Sequence, residues 1–338
     1  MFCKASRAAS SIAVVLLTTA AACARTASPS VDAIIAPFLG PGLGGLAVAV
    51  VRDGSVLVRK GFGPADMAKG ASVATDTVFD LASLSKQFTG MAILLLAQRG
   101  RISMQDDIRQ YVPEVPVFDR ARPIRVDDLS RHRSGLRDFG EGAVRTESDA
   151  FAWIQAQTSL EFPTGSRWQY RNVNYFLLGR IVERVSQRSL RSVLEAEVFA
   201  PAGMTTAQVR DAPDRTIRNR AVGYCFGRPC GDEGPTGAGG VYASLDDLIA
   251  WDKALSRGTL IPSAVLAAQL EGGYALGWGV GEHDGHRIMW HDGDAVGTSA
   301  YIARYLDVPL TIIVLSNQTR QPVETIERRL AGAFLPAR

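Results

Sequence analysis

Phe79-Asp80-Leu81-Ala82-Ser83-Leu84-Ser85-Lys86-Gln87-Phe88-Thr89 joins an extended run to an almost wholly apolar helix and contains the chain's only Ser-x-x-Lys. One helical turn separates Ser83 from Lys86, so both side chains lie on one face, where a neutral lysine can accept the serine proton. Lysine is scarce, at positions 4, 60, 69, 86 and 253 only, against a set of cations that is otherwise arginine. Arginine does not deprotonate and cannot serve as a base, so a lysine at 86 is chemically specific. The bland alternative is a surface lysine beside a helix-capping serine, since two common residues at this spacing also arise by chance.

Outward from this stretch, Phe88, Met91, Ile93, Leu94, Leu95 and Leu96 leave the helix no polar face, and Gly100 follows as its terminator. A helix apolar all round is a buried one. Upstream, Leu46 to Val51 and Val56 to Phe62 flank Arg52-Asp53-Gly54-Ser55, and Asp-Gly between runs of β-formers predicts a hairpin. From about 105 to 265 the pattern is mostly helical, with helical periodicity at 149–157, 173–187 and 190–199 and prolines at 113, 116, 123 and 163 between segments. Strand signals return at Gly277 to Val280, Arg287 to His291, Thr298 to Arg304 and Pro309 to Leu315, before an amphipathic helix through Val323, Ile326, Leu330 and Phe334. Strands at both ends with helices between them predict an α+β fold. An antiparallel sheet is built from both termini and flanked by helices, with an inserted mostly helical region and a cleft between the two.

The composition, 46% hydrophobic and 21% charged over 338 residues, is that of an ordinary globular chain, which excludes a disordered or fibrous one. Residues 1–22 differ: Lys4 and Arg7 precede the apolar run Ile12 to Leu17, too short to span a bilayer, and small residues follow. This predicts a secretory leader. Its removal takes two positive charges and lowers the formal net charge from +3 to +1, which leaves no basic bias toward nucleic acid. Ala20-Ala21-Ala22-Cys23 resembles a bacterial lipoprotein cleavage box with Cys23 as the lipidation candidate; ordinary cleavage after Ala24 or Ala27 is the alternative. The expected location is the periplasm, or the bacterial envelope through that lipid anchor. Cys225 and Cys230 are candidates for a local disulfide in an exported chain, with two buried free thiols as the alternative. The histidines at 132, 283, 286 and 291 have no ligand spacing with this pair, so no metal is expected.

Further along, Tyr170-Arg171-Asn172 stands immediately before a buried helix, and His291-Asp292-Gly293 follows a predicted strand. With these motifs the chain resembles the serine β-lactamase and D-alanyl-D-alanine carboxypeptidase superfamily, specifically its class C and esterase-like branch, in which Ser-x-x-Lys, Tyr-x-Asn and Lys/His-x-Gly line one cleft. His132 to Leu136, Phe199 to Met204, Gly237 to Val241, Ala275 to Gly279 and Leu315 to Asn317 also occur in the family's order, and the resemblance covers roughly 32–335. With the leader at 1–22 and a short linker at 23–31, it implies one catalytic domain at 32–338. Sheet-forming parts are expected at about 32–100 and 270–338, and a helical part at about 101–269. No glutamate stands as a class A deacylation base and Ser-Asp-Asn is absent, which favours the tyrosine-centred branch.

The resemblance implies acyl transfer at Ser83, and the chemistry agrees. Acyl transfer needs an activated hydroxyl, a proton route and donors aimed at the oxygen that becomes negative. Ser83 opens a helix, where free N–H groups favour developing negative charge. A second donor is implied on the backbone after Gly293, near Asp294, with glycine permitting close approach. Lys86 is one candidate base and Tyr170 the other, because a phenol between two cations shifts toward phenolate. Asn172 would orient Lys86 and hold the substrate carbonyl. His291 stands where β-lactamases carry lysine; being mostly neutral, it suits substrate carboxylates less well than esters or amides. His132 reads as structural. The expected substrates are small esters, D-amino acid amides or short peptides, and β-lactams, without a cofactor and with no prediction of oligomeric state. The alternative from another class is an inactive binding module for cell-wall peptides.

Overall fold

The computed structural model describes residues 30–139, 144, 146–212, 214–231 and 236–336. The expected leader, and Cys23 with it, lie outside these residues. Strands β1 (Leu46–Arg52) and β2 (Ser55–Phe62) form the predicted hairpin. Asp53 and Gly54 take φ of 50° and 72°, and a two-residue turn with both φ positive has the twist that antiparallel strands need. Five later strands complete the sheet: β3 (Tyr274–Ala275), β4 (Trp278–His283), β5 (His286–Ala295), β6 (Thr298–Tyr305) and β7 (Leu310–Ser316). The order is β3-β4-β5-β6-β7-β1-β2, antiparallel throughout, so β1 docks on β7 with Leu46 opposite Ser316 and Arg52 opposite Leu310.

Alternation along these strands explains why the central ones read as unbroken apolar runs. Ala47, Ala49, Ala300, Ile302, Ile313 and Leu315 pack into the core shared with the helical region. Their neighbours Leu46, Val48, Val50, Tyr301, Ile312 and Val314 face the terminal helices Val31–Ile35 and Val323–Phe334. Strands covered on both faces have no polar side to present.

The central helix, Lys86–Gln98, is buried from Lys86 to Leu96. It begins three residues later than Ser83, because Ala82–Ser85 form a tighter 3-10 turn in which Leu84 N donates to Leu81 O. Its end is as expected: Gly100 takes φ 65° and Arg101 N reaches back to Leu96 O, a left-handed glycine cap. Helices Glu147–Gln155 and Asn172–Ser186 lie within two residues of their predicted spans, and Leu190–Val193 continues as one π-helical stretch to Phe199.

The middle of the chain also contains a feature that the periodicity does not show. Val78–Asp80, Val241–Ser244 and Gln208–Val209 form a three-stranded sheet. Two- to four-residue strands are too short to display an alternating pattern; their pairing is dictated by distant partners, Phe79 opposite Ala243 among them. This small sheet leads directly into the turn that carries Ser83. Leu81 N donates to Val241 O at 3.0 Å, and Ser85 Oγ accepts from Val241 N at 3.0 Å.

Cys225 and Cys230 form the expected disulfide, with Cα atoms 5.8 Å apart. Among the described residues no helix is long and apolar enough to cross a membrane. Ile326 is fully buried where the last helix seats on the outer face of the sheet. Ile326→Ala is expected to cost about 2–5 kcal/mol, measured as a lowered denaturant midpoint at unchanged slope. A change below about 1 kcal/mol would show that this helix does not anchor the sheet.

Candidate active site

Ser83 presents a half-buried hydroxyl at the turn before the central helix, and Lys86 is wholly buried beneath it. Lys86 Nζ lies 2.9 Å from each of Ser83 Oγ, Asn172 Oδ1 and the Ala238 carbonyl oxygen. It also stands 4.8 Å from the Tyr170 ring centroid and 5.8 Å from that of Tyr175. Burial lowers the Lys86 pKa from 10.5 to about 7, partly opposed by the charges of Asp138 and Asp292. A large fraction of Lys86 is therefore neutral near pH 7, as a base requires.

Tyr170 behaves differently from its sequence expectation. Burial pushes its phenol well above the ordinary value, and the adjacent Ser83 hydroxyl only partly offsets this. The expected pair of cations is weakened, because burial brings Lys86 down to about 7 and holds His291 down to about 3. Tyr170 is a protonated phenol here. Its oxygen is buried beside the Ser83 hydroxyl.

His132 forms the floor under Tyr170. Its backbone takes φ 55°, and its buried ring lies 4.4 Å from the Tyr170 ring and 4.7 Å from that of Tyr274. Nδ1 accepts from Arg171 N at 3.2 Å and from the Asn174 amide at 3.0 Å, so the ring proton is on Nε2. Asn174 is itself held by the Ser134 hydroxyl at 2.6 Å. His132 is structural, as expected, and the ring it supports is that of Tyr170.

The third motif is built by β5 against the Ser83 turn. A Cβ on Gly293 would run into the Leu81 carbonyl oxygen, so only glycine lets the strand lie this close. Asp294 turns its carboxylate to Ser299 Oγ at 3.1 Å, leaving only its backbone as a candidate donor. His291 is 3% exposed and its two nitrogens are already committed. Nδ1 bonds the Asp292 carbonyl oxygen, which can only accept; Nε2 must then accept from Tyr274 Oη at 2.8 Å. His291 is thus brought to the site, but with both ring nitrogens occupied.

Ser83, Lys86, Tyr170 and Asn172 converge directly, with Gly293 behind them. Tyr274, Ala238, Asp138 and Tyr175 belong to the same cluster and were missed by motif reading. Tyr274 and Ala238 lie in or beside quoted glycine-rich stretches, but nothing in their spacing shows that they face Lys86 or His291. Among the described residues no group of three or more His, Cys, Asp or Glu side chains is arranged to hold a metal ion.

The family profile described as Beta-lactamase matches residues 31–335. Penicillin-binding protein 4* of Bacillus subtilis (strain 168) is 29% identical over 309 residues, covering 80% of this chain and 67% of that protein. The D-aminopeptidase of Brucella canis is 31% identical over 320 residues, covering 85% of this chain but only 58% of its own length. In fold, the octameric penicillin-binding protein homologue from Pyrococcus abyssi superposes with a TM-score of 0.77 at 23% identity, over 88% of this chain and 74% of that one. The beta-lactamase/D-alanine carboxypeptidase from Pseudomonas syringae gives 0.77 at 22% identity, over 90% and 99%.

The buried lysine has a measurable signature in stability. Below about pH 7 Lys86 carries its proton in both states and folding bears the full desolvation penalty; between about 7 and 10.5 only the unfolded chain does, so stability rises with pH. Relative to Lys86→Met, the unsubstituted chain is expected to gain more than about 1 kcal/mol as pH rises from 7 to 10, by denaturant midpoints. A pH-independent difference would show that Lys86 is not desolvated.

Proposed function

The chain belongs to the Beta-lactamase family, and from that premise we propose that it is a serine hydrolase working through an acyl-enzyme on Ser83. The observation that carries this reading is the proton arrangement around Lys86. A neutral amine has two N–H donors and one lone pair; Asn172 Oδ1 and the Ala238 carbonyl oxygen use the donors, which leaves the lone pair for the Ser83 hydroxyl.

In the proposed reaction Ser83 Oγ forms its bond to the substrate carbonyl carbon while its proton passes to Lys86 Nζ. The backbone N–H groups of Ser83 and Asp294 take the oxyanion, each donor of this kind being worth about a hundred to a thousandfold in rate. Collapse breaks the bond to the leaving group, which receives the Lys86 proton through the Tyr170 hydroxyl. Water then attacks the acyl-enzyme by the reverse route, its proton going to Lys86 and the Ser83 oxygen regaining one. Tyr170 acts as a relay and not as the resting base, because its phenol is raised while Lys86 is lowered.

Small esters and D-amino acid amides or short peptides are the preferred substrates in this reading, with β-lactams behind. The neutral, internally bonded His291 supports that order, because it supplies no fixed cation from the β5 strand. The catalytic domain is taken as residues 32–338, acting after export; the leader-like residues 1–22 and the Cys225–Cys230 disulfide support an oxidising compartment outside the cytoplasm. An inactive peptide-binding module has no observation in its favour, since binding alone needs no desolvated lysine beside a serine.

A fluorophosphonate probe is expected to label Ser83 and to leave Ser83→Ala unlabelled; undiminished labelling of that variant would overturn the assignment. With p-nitrophenyl acetate, kcat/KM should rise with pH through about 7 as Lys86 loses its proton. Lys86→Arg should lower it roughly 100- to 10,000-fold and remove that rise. A rise that persists in Lys86→Arg would move the base elsewhere.

A further inference from the structure

Tyr170 also lines a cavity of about 340 Å³ whose lining does not include Lys86 and which the proton chemistry does not use. Its walls are aromatic and apolar: Trp168, Tyr170, Tyr274, Val280 and Trp290. Trp168 is 51% exposed, a large apolar face turned to water. Arg133 and Asp292 are the charged groups in the lining, apart from the neutral His291.

Several arginines near Arg133 are paired with carboxylates. Arg122 pairs with Asp128, Arg131 with Asp127 and Arg171 with Glu161. Arg133 is exposed and has no carboxylate partner among the described residues. Its backbone is nonetheless rigidly placed, with N donating to Asp128 O at 2.7 Å and O accepting from Gly165 N at 2.8 Å, between the buried His132 and Ser134. A guanidinium is thus held at the mouth of an aromatic cavity with its five donors uncommitted.

We propose that Arg133 is the specificity-determining cation of this cleft, binding a carboxylate on the leaving group while the cavity takes that group's flat apolar part. This rests on the acyl-enzyme reading above. Tyr170 supplies the leaving-group proton and also lines the cavity, which puts the departing fragment, and not the acyl part, against these walls. His291 cannot take the anion, since Tyr274 occupies its Nε2. Asp292 also borders the cavity and disfavours a second carboxylate there. The preferred substrate is then an acyl ester or amide whose leaving group is an aryl or apolar carboxylate. On reaction its C–O or C–N bond breaks, the acyl carbon stays on Ser83, and the fragment departs with the relayed proton and its carboxylate intact.

The test compares 3-acetoxybenzoate with its methyl ester, which differ in the charge offered to Arg133, and reads the change of their ratio between variants so that intrinsic reactivity cancels. The unsubstituted enzyme should favour the carboxylate in kcat/KM. Arg133→Ala should lower the carboxylate-to-methyl-ester ratio about tenfold, mainly through KM, Arg133→Lys should recover part of it, and Arg133→Glu should lower it further. An unchanged ratio in all three variants, with Ser83 still labelled by fluorophosphonate, would overturn the proposal while leaving the hydrolase reading intact. Binding of 3-hydroxybenzoate by calorimetry settles the point without turnover. Its affinity for Ser83→Ala should fall about tenfold when Arg133→Ala is added, and equal affinities would overturn the role of Arg133. Absence of Ser83 labelling in every form would instead remove the hydrolase reading, and the calorimetric comparison would still decide whether Arg133 holds the anion.

Discussion

The desolvation of Lys86 is the constraint around which this molecule is arranged. An ammonium in an apolar interior is so unfavourable that the group loses its proton instead, and a neutral amine is what the neighbouring serine needs. The helix apolar on every face supplies that interior, which is why it is overlaid by the sheet on one side and by helix Asn172–Ser186 on the other. Two carbonyl oxygens from distant parts of the chain, Asn172 Oδ1 and Ala238 O, then satisfy the donors that burial would leave stranded. The same contacts tie the helical region to the central helix. Stability is given up at one side chain, and the fold is knit together by the groups that compensate it.

Close approach is the second requirement, and glycines supply it. Gly293 brings β5 against the Leu81 carbonyl, and at Gly277 a Cβ would run into the backbone of Lys86 and Gln87. Gly90 lies just as tightly against Leu276, which itself takes φ 53°. Gly277 N also donates to Tyr175 Oη, whose hydroxyl donates in turn to Ser130 O at 2.9 Å. The β3–β4 turn, the central helix and the end of helix Val126–Ser130 are therefore locked to one another. Strained non-glycine residues at Ala82, His132 and Leu276 sit at these junctions, where surrounding contacts hold conformations the isolated chain would not choose.

Much of this is legible in one dimension because local rules govern it. Asp53-Gly54 specifies the hairpin, Gly100 the helix end, and the run from Phe88 to Leu96 the burial. Ser-x-x-Lys and Tyr-x-Asn follow the same logic, since helical spacing or adjacency fixes each pair. What could not be read depends on contacts between distant segments. The three-residue strand Val78–Asp80 exists because Val241–Ser244 pairs with it, and no periodicity fits into three residues. The phenolate expectation for Tyr170 failed for a similar reason: it assumed charged neighbours, and the charges of Lys86 and His291 are themselves removed by burial that only the folded state determines.

The histidine of the third motif shows how a conservative-looking position changes meaning in three dimensions. A lysine at 291 would have three donors and a fixed charge to offer a substrate; the histidine has one proton, given to the Asp292 carbonyl, and one lone pair, filled by Tyr274. Tyr274 in turn packs edge-on to Tyr170 and against His132 and Trp168. The strand's polar contribution is thereby converted into an aromatic wall, and recognition shifts from charge on β5 to shape and to whatever cation borders that wall. In the proposed reaction Tyr170 belongs both to this wall and to the proton route, so a substrate that fitted the cavity would place its leaving group where the proton arrives. The proposal thereby couples specificity and chemistry through one phenol ring, which packs on a histidine whose Nδ1 is taken by Arg171 N and the Asn174 amide.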